Sequence, residues 1–298
     1  MLGVINLDKP VGPTSHDMVA LMRRLTGDRR IGHAGTLDPL ASGVLPILVG
    51  AATRFSAELT GGRKRYTATI RLGATSATDD GEGPITPGTA AIPDDEAITR
   101  GVMAFVGSFE QRPPAFSARK LGGRTAHRAA RSRQALSLPS RRVTVDAIDV
   151  LSITRAEERV DVTIDLRCGP GTYVRSIARD LGEALGCGGY LAALRRTEAA
   201  GLRAEDAATP GELERLRDGG HLADALVPVA SLLPLPRLQL SADDAARFRH
   251  GSRIAVASIG EGGGRMAVFD AADELLGIGS LVGGQLQPEK VIQPSGAA

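Results

Sequence analysis

The sequence predicts an α+β protein, with a mixed, mainly antiparallel sheet in a large first domain and a small β-rich domain at the C-terminus. Clean alternation of apolar and polar residues over Lys64–Leu72 predicts a half-buried strand. Apolar residues at helical spacing within residues 14–27 predict a packed helix. From about residue 237, short apolar runs separated by glycine-rich turns predict a compact β-rich unit.

The predicted helix at 14–27 has recognisable ends. Thr14 or Ser15 can accept a hydrogen bond from a free first-turn N–H, and Asp17 lies where the helix dipole favours a carboxylate. Gly27 can end the helix in a left-handed conformation. Its apolar face consists of Met18, Leu21, Met22 and Leu25.

Two glycine-containing stretches predict loops. Residues 31–46 place two glycines before an Asp-Pro step and a third after it, which indicates a loop leading into a buried strand at 44–49. Residues 73–95 are rich in Gly, Thr, Asp and Pro and predict a second loop, and residues 95–107 are weakly helical.

Later segments complete the α+β pattern. Alternation predicts a strand pair at 143–153 and 159–168, and a Gly-Pro-Gly-Thr turn then leads to an amphipathic helix. Residues 209–236 show no regular pattern and end in the proline-rich stretch LLPLPRL. We therefore place the domains at 1–232 and 237–298.

Composition excludes several classes of protein. Cys168 and Cys187 form no C-x-x-C pair, so a disulfide framework or a thiolate zinc site is not expected. The five histidines lack zinc-motif spacing, and phosphate-loop and dinucleotide fingerprints are absent from the sequence, so we expect no metal and no cofactor. The sequence contains neither a membrane-spanning apolar run nor signal-peptide features at its N-terminus, which predicts a cytoplasmic protein.

Positive charge is concentrated in one segment. The chain has a net charge of +2, yet residues 112–142 contain nine basic residues and no Asp or Glu, which leaves −7 for the rest. Such a segment is typical of a polyanion-binding site, although a solvated basic surface is the simpler alternative. The nine residues are Arg112, Arg119, Lys120, Arg124, Arg128, Arg131, Arg133, Arg141 and Arg142.

The strongest candidate for chemistry is Asp38, within GHAGTLDPLASGVL at 32–45. An aspartate before proline is usually a turn former. Here the surrounding glycines let the backbone approach a ligand closely. An ionised carboxylate in this setting can act as a nucleophile or as a general base, and the residues alone leave both roles open.

Five stretches in order resemble the bacterial TruB family of tRNA pseudouridine synthases, and together they cover most of residues 4–200. Residues 32–45 resemble the signature G-T-L-D-P loop of that family. The other four are VINLDKPVGPTS at 4–15, KRYTATIRLG at 64–73, RPPAFSARKLGGRTAHRAAR at 112–131, and GTYVRSIARDLG at 171–182 followed by LAALRRT at 191–197.

The resemblance implies a pseudouridine-synthase fold with a small PUA-like RNA-binding domain at the C-terminus. It implies that the enzyme isomerises uridine 55 in the T-arm of tRNA to pseudouridine, after flipping the base, without a cofactor. Asp38 matches the essential catalytic aspartate. Tyr66 matches the tyrosine that stacks under the target base, and Arg175 matches the arginine that pairs with the aspartate.

The resemblance also implies substrate-binding roles for further residues. Tyr173 and Leu194 match pocket residues that contact the flipped base, and His33 matches a histidine near the displaced nucleotides. Lys9 matches a lysine that supports the active-site loop. An RNA-gripping insertion at about 110–142 is expected to bind the RNA backbone through Arg119, Lys120, Arg124, Arg128 and Arg131.

Some departures and alternatives stay open. Phe116 and His127 stand where the family often has tyrosine, and Gly169-Pro170 replaces a Ser-Lys or Ser-Ser turn.

Two alternative functions stay open. One alternative is a guide-dependent synthase of the archaeal and eukaryotic type, with protein partners. Another is an RNA-folding factor that binds tRNA without chemistry. The basic insertion favours a stand-alone tRNA enzyme, and the resemblance implies a monomer. The sequence does not choose between attack of Asp38 on C6 of the base and a glycal intermediate formed by proton abstraction from C2′.

Overall fold

The computed structural model of the chain describes residues 2–115, 120–121, 124–125, 139–256 and 263–293. The α-helices in these residues are α1 Ser15–Thr26, α2 Ser56–Thr60, α3 Asp95–Met103, α4 Val174–Ala184, α5 Pro210–Asp218 and α6 Ala242–Arg249. The strands are β1 Gly3–Lys9, β2 Ile31–His33, β3 Ala41–Val49, β4 Lys64–Leu72, β5 Ala74–Ser76, β6 Ile85–Pro87, β7 Gly107–Gln111, β8 Lys120–Leu121, β9 Arg124–Thr125, β10 Arg141–Ala156, β11 Arg159–Cys168, β12 Gly189–Ala199, β13 Leu202–Arg203, β14 Leu226–Val227, β15 Arg237–Gln239, β16 Ile254–Ala255, β17 Gly264–Phe269, β18 Leu275–Val282 and β19 Gln285–Val291.

Ten strands of the described chain form one mixed sheet. The main path runs β14-β1-β3-β12-β4-β11-β10-β7, with β2 added to β3 and β13 added to β12. Neighbouring strands are antiparallel except for β3 and β12, which are parallel. The predicted mixed, mainly antiparallel sheet is therefore confirmed. The parallel pair lies at the centre of the path, where it brings the strand after Asp38 beside β12.

Helices α1 and α4 pack against this sheet in one apolar cluster. Met22 of α1 and Leu181 of α4 are fully buried in the same cluster as Ile70 of β4. The predicted start of α1 is confirmed, because Thr14 and Asp17 form a reciprocal capping box. The predicted end is also confirmed, since Gly27 adopts a φ of +69° and its N–H donates to the Arg23 carbonyl.

A second sheet lies in the C-terminal part of the chain. Its order is β15-β17-β18-β19-β16, with β15 and β17 parallel and the other pairs antiparallel. One face packs on α6 through Phe248, and the other joins a shared apolar cluster with the first sheet through Phe269. Phe55, just before α2, and Leu59, within α2, belong to that shared cluster. The segment around α2 therefore lies between the two sheets.

The structure corrects two loop predictions and one segment in which the sequence showed no regular pattern. Residues 31–46 are not one loop, because β2 and the first half of β3 lie within them, and β3 pairs with β1 as far as Gly43. Residues 73–95 contain the short β5–β6 hairpin. Residues 209–236 contain α5, which begins with a Thr209–Glu212 capping box. Pairing with a distant strand decides the first case, whereas in the last case the capping signal was present but overlooked.

Candidate active site

The segment that carries Asp38 connects β2 to β3. These two strands pair antiparallel, with His33 opposite Ile47, so residues 34–40 close the end of a hairpin. The Ala41 N–H donates to the Asp38 carbonyl at 3.0 Å, which turns the chain back into β3. The Asp38 side chain stays 38% exposed. The fold thus presents a solvent-accessible carboxylate on residues 34–40, which are called the Asp38 turn below.

Asp38 lines a cleft of about 670 Å³. The walls come from the Asp38 turn, the segment around α2, strands β4 and β12, and the start of α4. The cleft brings together five residues predicted from the sequence as catalytic or substrate-binding. These are Asp38, Tyr66, Tyr173, Arg175 and Leu194.

Arg175 pairs with Asp38 from inside the protein. Its side chain is only 6% exposed, and its Nε lies 3.1 Å from Asp38 Oδ2. Its Nη1 lies 3.3 Å from Asp80 Oδ2 and donates to the Thr78 carbonyl at 3.1 Å. Arg175 therefore bridges two carboxylates, of which Asp38 is the one that faces the cleft. The predicted pairing of Asp38 with Arg175 is present in the structure.

Asp80 was not identified from the sequence. It is 2% exposed, and it accepts from the Thr78 hydroxyl at 2.5 Å and from the Glu82 N–H at 3.1 Å. A buried carboxylate with these donors can hold the Arg175 guanidinium in one orientation. The sequence signal was weak, because Asp80 lies in a Gly-, Thr- and Asp-rich stretch that predicts only a loop.

Tyr66 lies on β4 at the floor of the cleft. The side chain is 6% exposed, and β4 pairs it with Leu166 of β11 and Arg196 of β12. Burial raises the pKa of the Tyr66 phenol, and the neighbouring Arg196 guanidinium acts in the opposite direction. An aromatic ring held in this way can stack against a planar base that enters the cleft.

Tyr173 stands at the N-cap of α4, two residues before Arg175. The Gln111 side-chain amide forms two hydrogen bonds with the Tyr173 backbone. Gln111 Nε2 donates to the Tyr173 carbonyl at 3.1 Å, and Gln111 Oε1 accepts from the Tyr173 N–H at 2.8 Å. The Arg141 guanidinium lies 5.0 Å from the centre of the Tyr173 ring. Gln111 and Arg141 lie at the two ends of the basic insertion, so both ends of that insertion contact the wall of the cleft.

Lys9 lies beneath the Asp38 turn. The residue is fully buried, and its Nζ donates to the carbonyls of Pro10 at 2.8 Å, Pro13 at 2.7 Å and Pro39 at 3.4 Å. Burial lowers the pKa of Lys9, and the nearby Asp38 carboxylate partly offsets that shift. Ser15 adds a second anchor, because its hydroxyl donates to the Leu37 carbonyl and accepts from the Leu37 N–H.

His33 lies behind the turn, beside His16. Their ring centres are 5.7 Å apart in an edge-to-face arrangement. Burial lowers the pKa of His33, and His16 and Arg196 lower it further. Among the described residues, the walls of the cleft include Leu194 but not His33. The structure therefore groups Leu194 with Asp38 and leaves His33 at the back of the turn.

Two cations of the site received no role from the sequence. Lys64 lines the cleft and donates to the carbonyls of Thr60 at 2.9 Å and Gly62 at 2.8 Å. Burial, reinforced by the charge of Arg196, lowers the pKa of Lys64 to about 8. Arg196 is 1% exposed and also lines the cleft. Both belong to stretches that resemble the family, KRYTATIRLG and LAALRRT, and this was the available signal.

The basic insertion lies largely outside the described residues. Arg119, Arg128 and Arg131 fall there entirely, whereas Lys120 and Arg124 belong by their backbone to the short β8–β9 hairpin. In the described part of the chain, no cluster of His, Cys, Asp and Glu has the arrangement of a metal site. No helix in the same part has the length and apolar character needed to cross a bilayer.

Comparison with family models covers nearly the whole chain. Residues 23–174 match the model described as "TruB family pseudouridylate synthase (N terminal domain)". Residues 175–234 match "tRNA pseudouridylate synthase B C-terminal domain", and residues 236–292 match "Pseudouridine synthase II TruB, C-terminal".

Curated relatives match most of the chain. The tRNA pseudouridine synthase B of Ralstonia nicotianae is 40% identical over 295 residues, which cover 97% of this chain and 94% of the relative. The protein of the same name from Paenarthrobacter aurescens is 41% identical over 304 residues, covering 98% and 95%. A Mycobacterium protein of that name is 45% identical over 260 residues, covering 86% of each chain.

Two solved structures with the same fold belong to H/ACA assemblies. A chain in an H/ACA ribonucleoprotein bound to a substrate RNA containing 2′-deoxyuridine aligns with a TM-score of 0.76 at 27% identity, covering 99% of this chain and 86% of the other. A chain of the archaeal box H/ACA Nop10–Cbf5 complex aligns with a TM-score of 0.75 at 27% identity, covering 99% and 87%. The predicted fold class and family resemblance are confirmed.

Proposed function

The chain belongs to the TruB family of pseudouridine synthases, and we propose that its substrate is uridine 55 in the T-arm of tRNA. The observation that supports this proposal most directly is the Asp38–Arg175 pair at the cleft. The Asp38 carboxylate is partly exposed at the cleft, and the buried Arg175 guanidinium 3.1 Å away holds it in position while substrate enters. The curated relatives that match the chain over almost its full length are named as tRNA enzymes.

The proposed reaction is an isomerisation, so it needs no oxidant, reductant or cofactor. The bond between C1′ and N1 breaks, the base rotates, and a bond between C1′ and C5 forms. The proton leaves C5 and N1 gains a proton, which balances the reaction. Asp38 acts either by adding to C6 of the base or by taking the C2′ proton to give a glycal, and both routes begin from the same ionised carboxylate.

The remaining cleft residues bind the flipped base. Extruding a base from a folded RNA loop costs on the order of a few kcal/mol. Stacking on Tyr66 returns roughly 1–3 kcal/mol. Tyr173 and Leu194, on two other walls of the cleft, contact the base from the sides. His33 and Lys9 support the reaction from behind and beneath the Asp38 turn, His33 near the nucleotides that the flipped base displaces.

The basic insertion is proposed to hold the RNA backbone. Its positive charge neutralises phosphates and releases counterions, so binding falls as salt rises. The residues proposed for these contacts are Arg119, Lys120, Arg124, Arg128 and Arg131.

The two sheets are proposed to form two working units. Residues 1–232 form the catalytic domain, and residues 237–298 form a PUA-like domain that binds another part of the tRNA.

We further propose that the protein acts in the cytoplasm as a monomer without an obligatory protein partner. The structures it resembles are parts of H/ACA assemblies, so guide-dependent action on another RNA is the main alternative. Refolding of tRNA without chemistry is the second alternative.

The deciding experiment compares wild type with Asp38→Asn on a T-arm hairpin, scoring pseudouridine by mass spectrometry after chemical labelling. We expect wild type to convert the uridine, and Asp38→Asn to bind the hairpin normally without forming product. Asp149→Asn, which changes an exposed aspartate on β10, is the matched control and should behave as wild type. Turnover by Asp38→Asn would refute the catalytic role. A wild type that binds the hairpin but does not convert it would favour the two alternatives.

A further inference from the structure

Arg196 is a buried charge that binds neutral groups. Among the described residues it is one of the largest fully buried side chains, at 1% exposure. The hydrogen bonds of its guanidinium to the backbone go to three carbonyl groups. Removing a cation from water without a carboxylate partner is costly, so a residue of this kind must be fixed by several good hydrogen bonds.

Two of the three carbonyls lie in the Asp38 turn before Asp38, and the third lies on β3, shortly after the turn. Arg196 Nη2 donates to the Gly35 carbonyl at 3.0 Å, and Nη1 is 3.4 Å from the Thr36 carbonyl. Arg196 Nε donates to the Val44 carbonyl at 2.7 Å. One planar guanidinium therefore binds the backbone both before and after Asp38, and it holds these two segments at a fixed distance from each other.

The same guanidinium meets Tyr66. Arg196 and Tyr66 are directly opposite each other in the β12–β4 pairing. The Arg196 charge and a hydrogen bond between the two side chains act against the effect of burial on the pKa of the phenol. Arg196 thus contacts the backbone that carries the carboxylate and the aromatic ring on which the base is proposed to stack.

We propose that Arg196 is a positioning residue for the reaction, which ties the Asp38 turn to Tyr66 so that both face the base in one fixed geometry. This inference rests on the proposed roles of Asp38 and Tyr66. Arginine is suited to the task because its guanidinium offers five N–H donors in a rigid plane, whereas a lysine offers three donors from one atom. Arg196 itself acts through these two groups and does not take part in the chemical step.

The test uses two variants at this position and one beside it. Arg196→Gln removes the charge, and Arg196→Lys keeps the charge but loses the planar donor set. Arg195→Gln is the matched control. Arg195 immediately precedes Arg196 on β12, but it forms a partly exposed ion pair with Asp8. Thermal melting and circular dichroism establish that each variant is folded.

Two readouts separate positioning from general damage. The first is the single-turnover rate at saturating enzyme, measured together with the dissociation constant for tRNA. The second is the tyrosinate absorbance of the RNA-free protein as the pH rises. The chain has three tyrosines and no tryptophan, so subtracting the curve of Tyr66→Phe isolates the titration of Tyr66.

We expect Arg196→Gln to lower the single-turnover rate by about 100-fold, as a displacement of about 1 Å in a reacting group does, while tRNA affinity stays within about threefold of wild type. We also expect the Tyr66 titration to move to higher pH, since an opposing positive charge is lost. Arg195→Gln should change neither quantity. A folded Arg196→Gln variant with wild-type rate and wild-type Tyr66 titration would overturn the proposal.

If Arg196→Gln does not fold, Arg196→Lys decides the matter. We expect it to fold, to leave the Tyr66 titration near that of wild type, and to lower the rate by about tenfold because carbonyl partners are lost. A wild-type rate in this variant, or its failure to fold, would overturn the proposal. The absorbance titration uses no RNA, so it still tests Arg196 if the proposed tRNA substrate proves wrong.

Discussion

Two regions of the molecule depend on buried charged side chains, and they use opposite kinds of partner. Around the Asp38 turn, Lys9 and Arg196 bind neutral carbonyl groups. Between the two sheets, the Glu58 carboxylate on α2 binds two cations from the C-terminal sheet. Lys290 Nζ lies 2.8 Å from Glu58, and Arg265 Nη2 lies 2.6 Å from it.

The two kinds of partner predict different responses of these contacts to added salt. The cations at the Asp38 turn are 0–1% exposed and their partners carry no net charge, so added salt has little effect on them. At the contact between the sheets, Glu58 is 4% exposed, but its partners Arg265 and Lys290 are 42% and 26% exposed. Salt can therefore weaken that contact. We therefore expect the turn that holds the proposed catalytic carboxylate to be insensitive to salt, and the attachment of the C-terminal sheet to weaken as salt rises.

The largest effect is expected from Gly43→Ala, at the parallel pairing of β3 with β12. Gly43 has a φ of +99°, and a Cβ there would clash with the backbone carbonyl of Arg196. Left-handed strain and overpacking each cost about 1–3 kcal/mol, so we expect a loss of several kcal/mol in the free energy of unfolding and at least a 100-fold lower single-turnover rate.

Gly27→Ala is the control for Gly43→Ala, measured by denaturant unfolding. Gly27 also has a positive φ, of +69°, but a Cβ there would meet open space. We expect it to lower the free energy of unfolding by about 1 kcal/mol and to leave the rate unchanged. Equal effects of the two substitutions would mean that the close approach of β3 to β12 is not what holds the turn.

An intermediate effect is expected from Glu58→Gln, at the contact between the sheets. Burial acts to raise the pKa of Glu58, but hydrogen bonds from Lys290 and Arg265 outweigh it and lower the pKa below its ordinary value of 4.5. The stabilisation is therefore complete above pH 4.5 and is lost as the pH falls through the lowered pKa. We expect the variant to lose about 1–2 kcal/mol in low salt and less in about 1 M salt.

Glu96→Gln serves as the control for Glu58→Gln, because Glu96 pairs with Arg100 on the exposed surface of α3. It should change the free energy of unfolding by less than about 0.5 kcal/mol at either salt concentration. Thermal melting of both variants at low and high salt makes the comparison. If Glu58→Gln lowers the free energy of unfolding equally at low and high salt, this contact is as insensitive to salt as the contacts of the Asp38 turn, and the comparison fails.

The last effect is expected from Lys64, and it appears only in alkaline solution, through the pH dependence of stability. Its pKa is lowered by burial from 10.5 to about 8 in the folded protein. Between these two values the unfolded chain binds more protons than the folded chain at this site, so its contribution makes the free energy of unfolding rise with pH. We expect Lys64→Met to remove that rise. Denaturant titrations of wild type and variant across this range measure it, and parallel curves would contradict the lowered pKa.

Local sequence signals determined the regular elements. The capping box at Thr14 and the left-handed Gly27 bounded α1, and strict alternation defined β4 and its buried face. These features depend on hydrogen bonds and side-chain periods within a few residues, so the sequence contains them directly. The same reasoning extended to the C-terminal strands but missed α6, which begins at a Ser241 cap and has only two buried residues.

The sequence by itself determined the family, the α+β class and the candidate residues, because contiguous motifs carry that information. Only the tertiary structure decided which charges meet. The parallel pairing of β3 with β12 brings Arg196 to the Asp38 turn and to the strand that follows it, and the start of α4 brings Arg175 between Asp38 and Asp80. The role of a charged side chain depends on what it faces after folding, and residues far apart in the chain supply those partners.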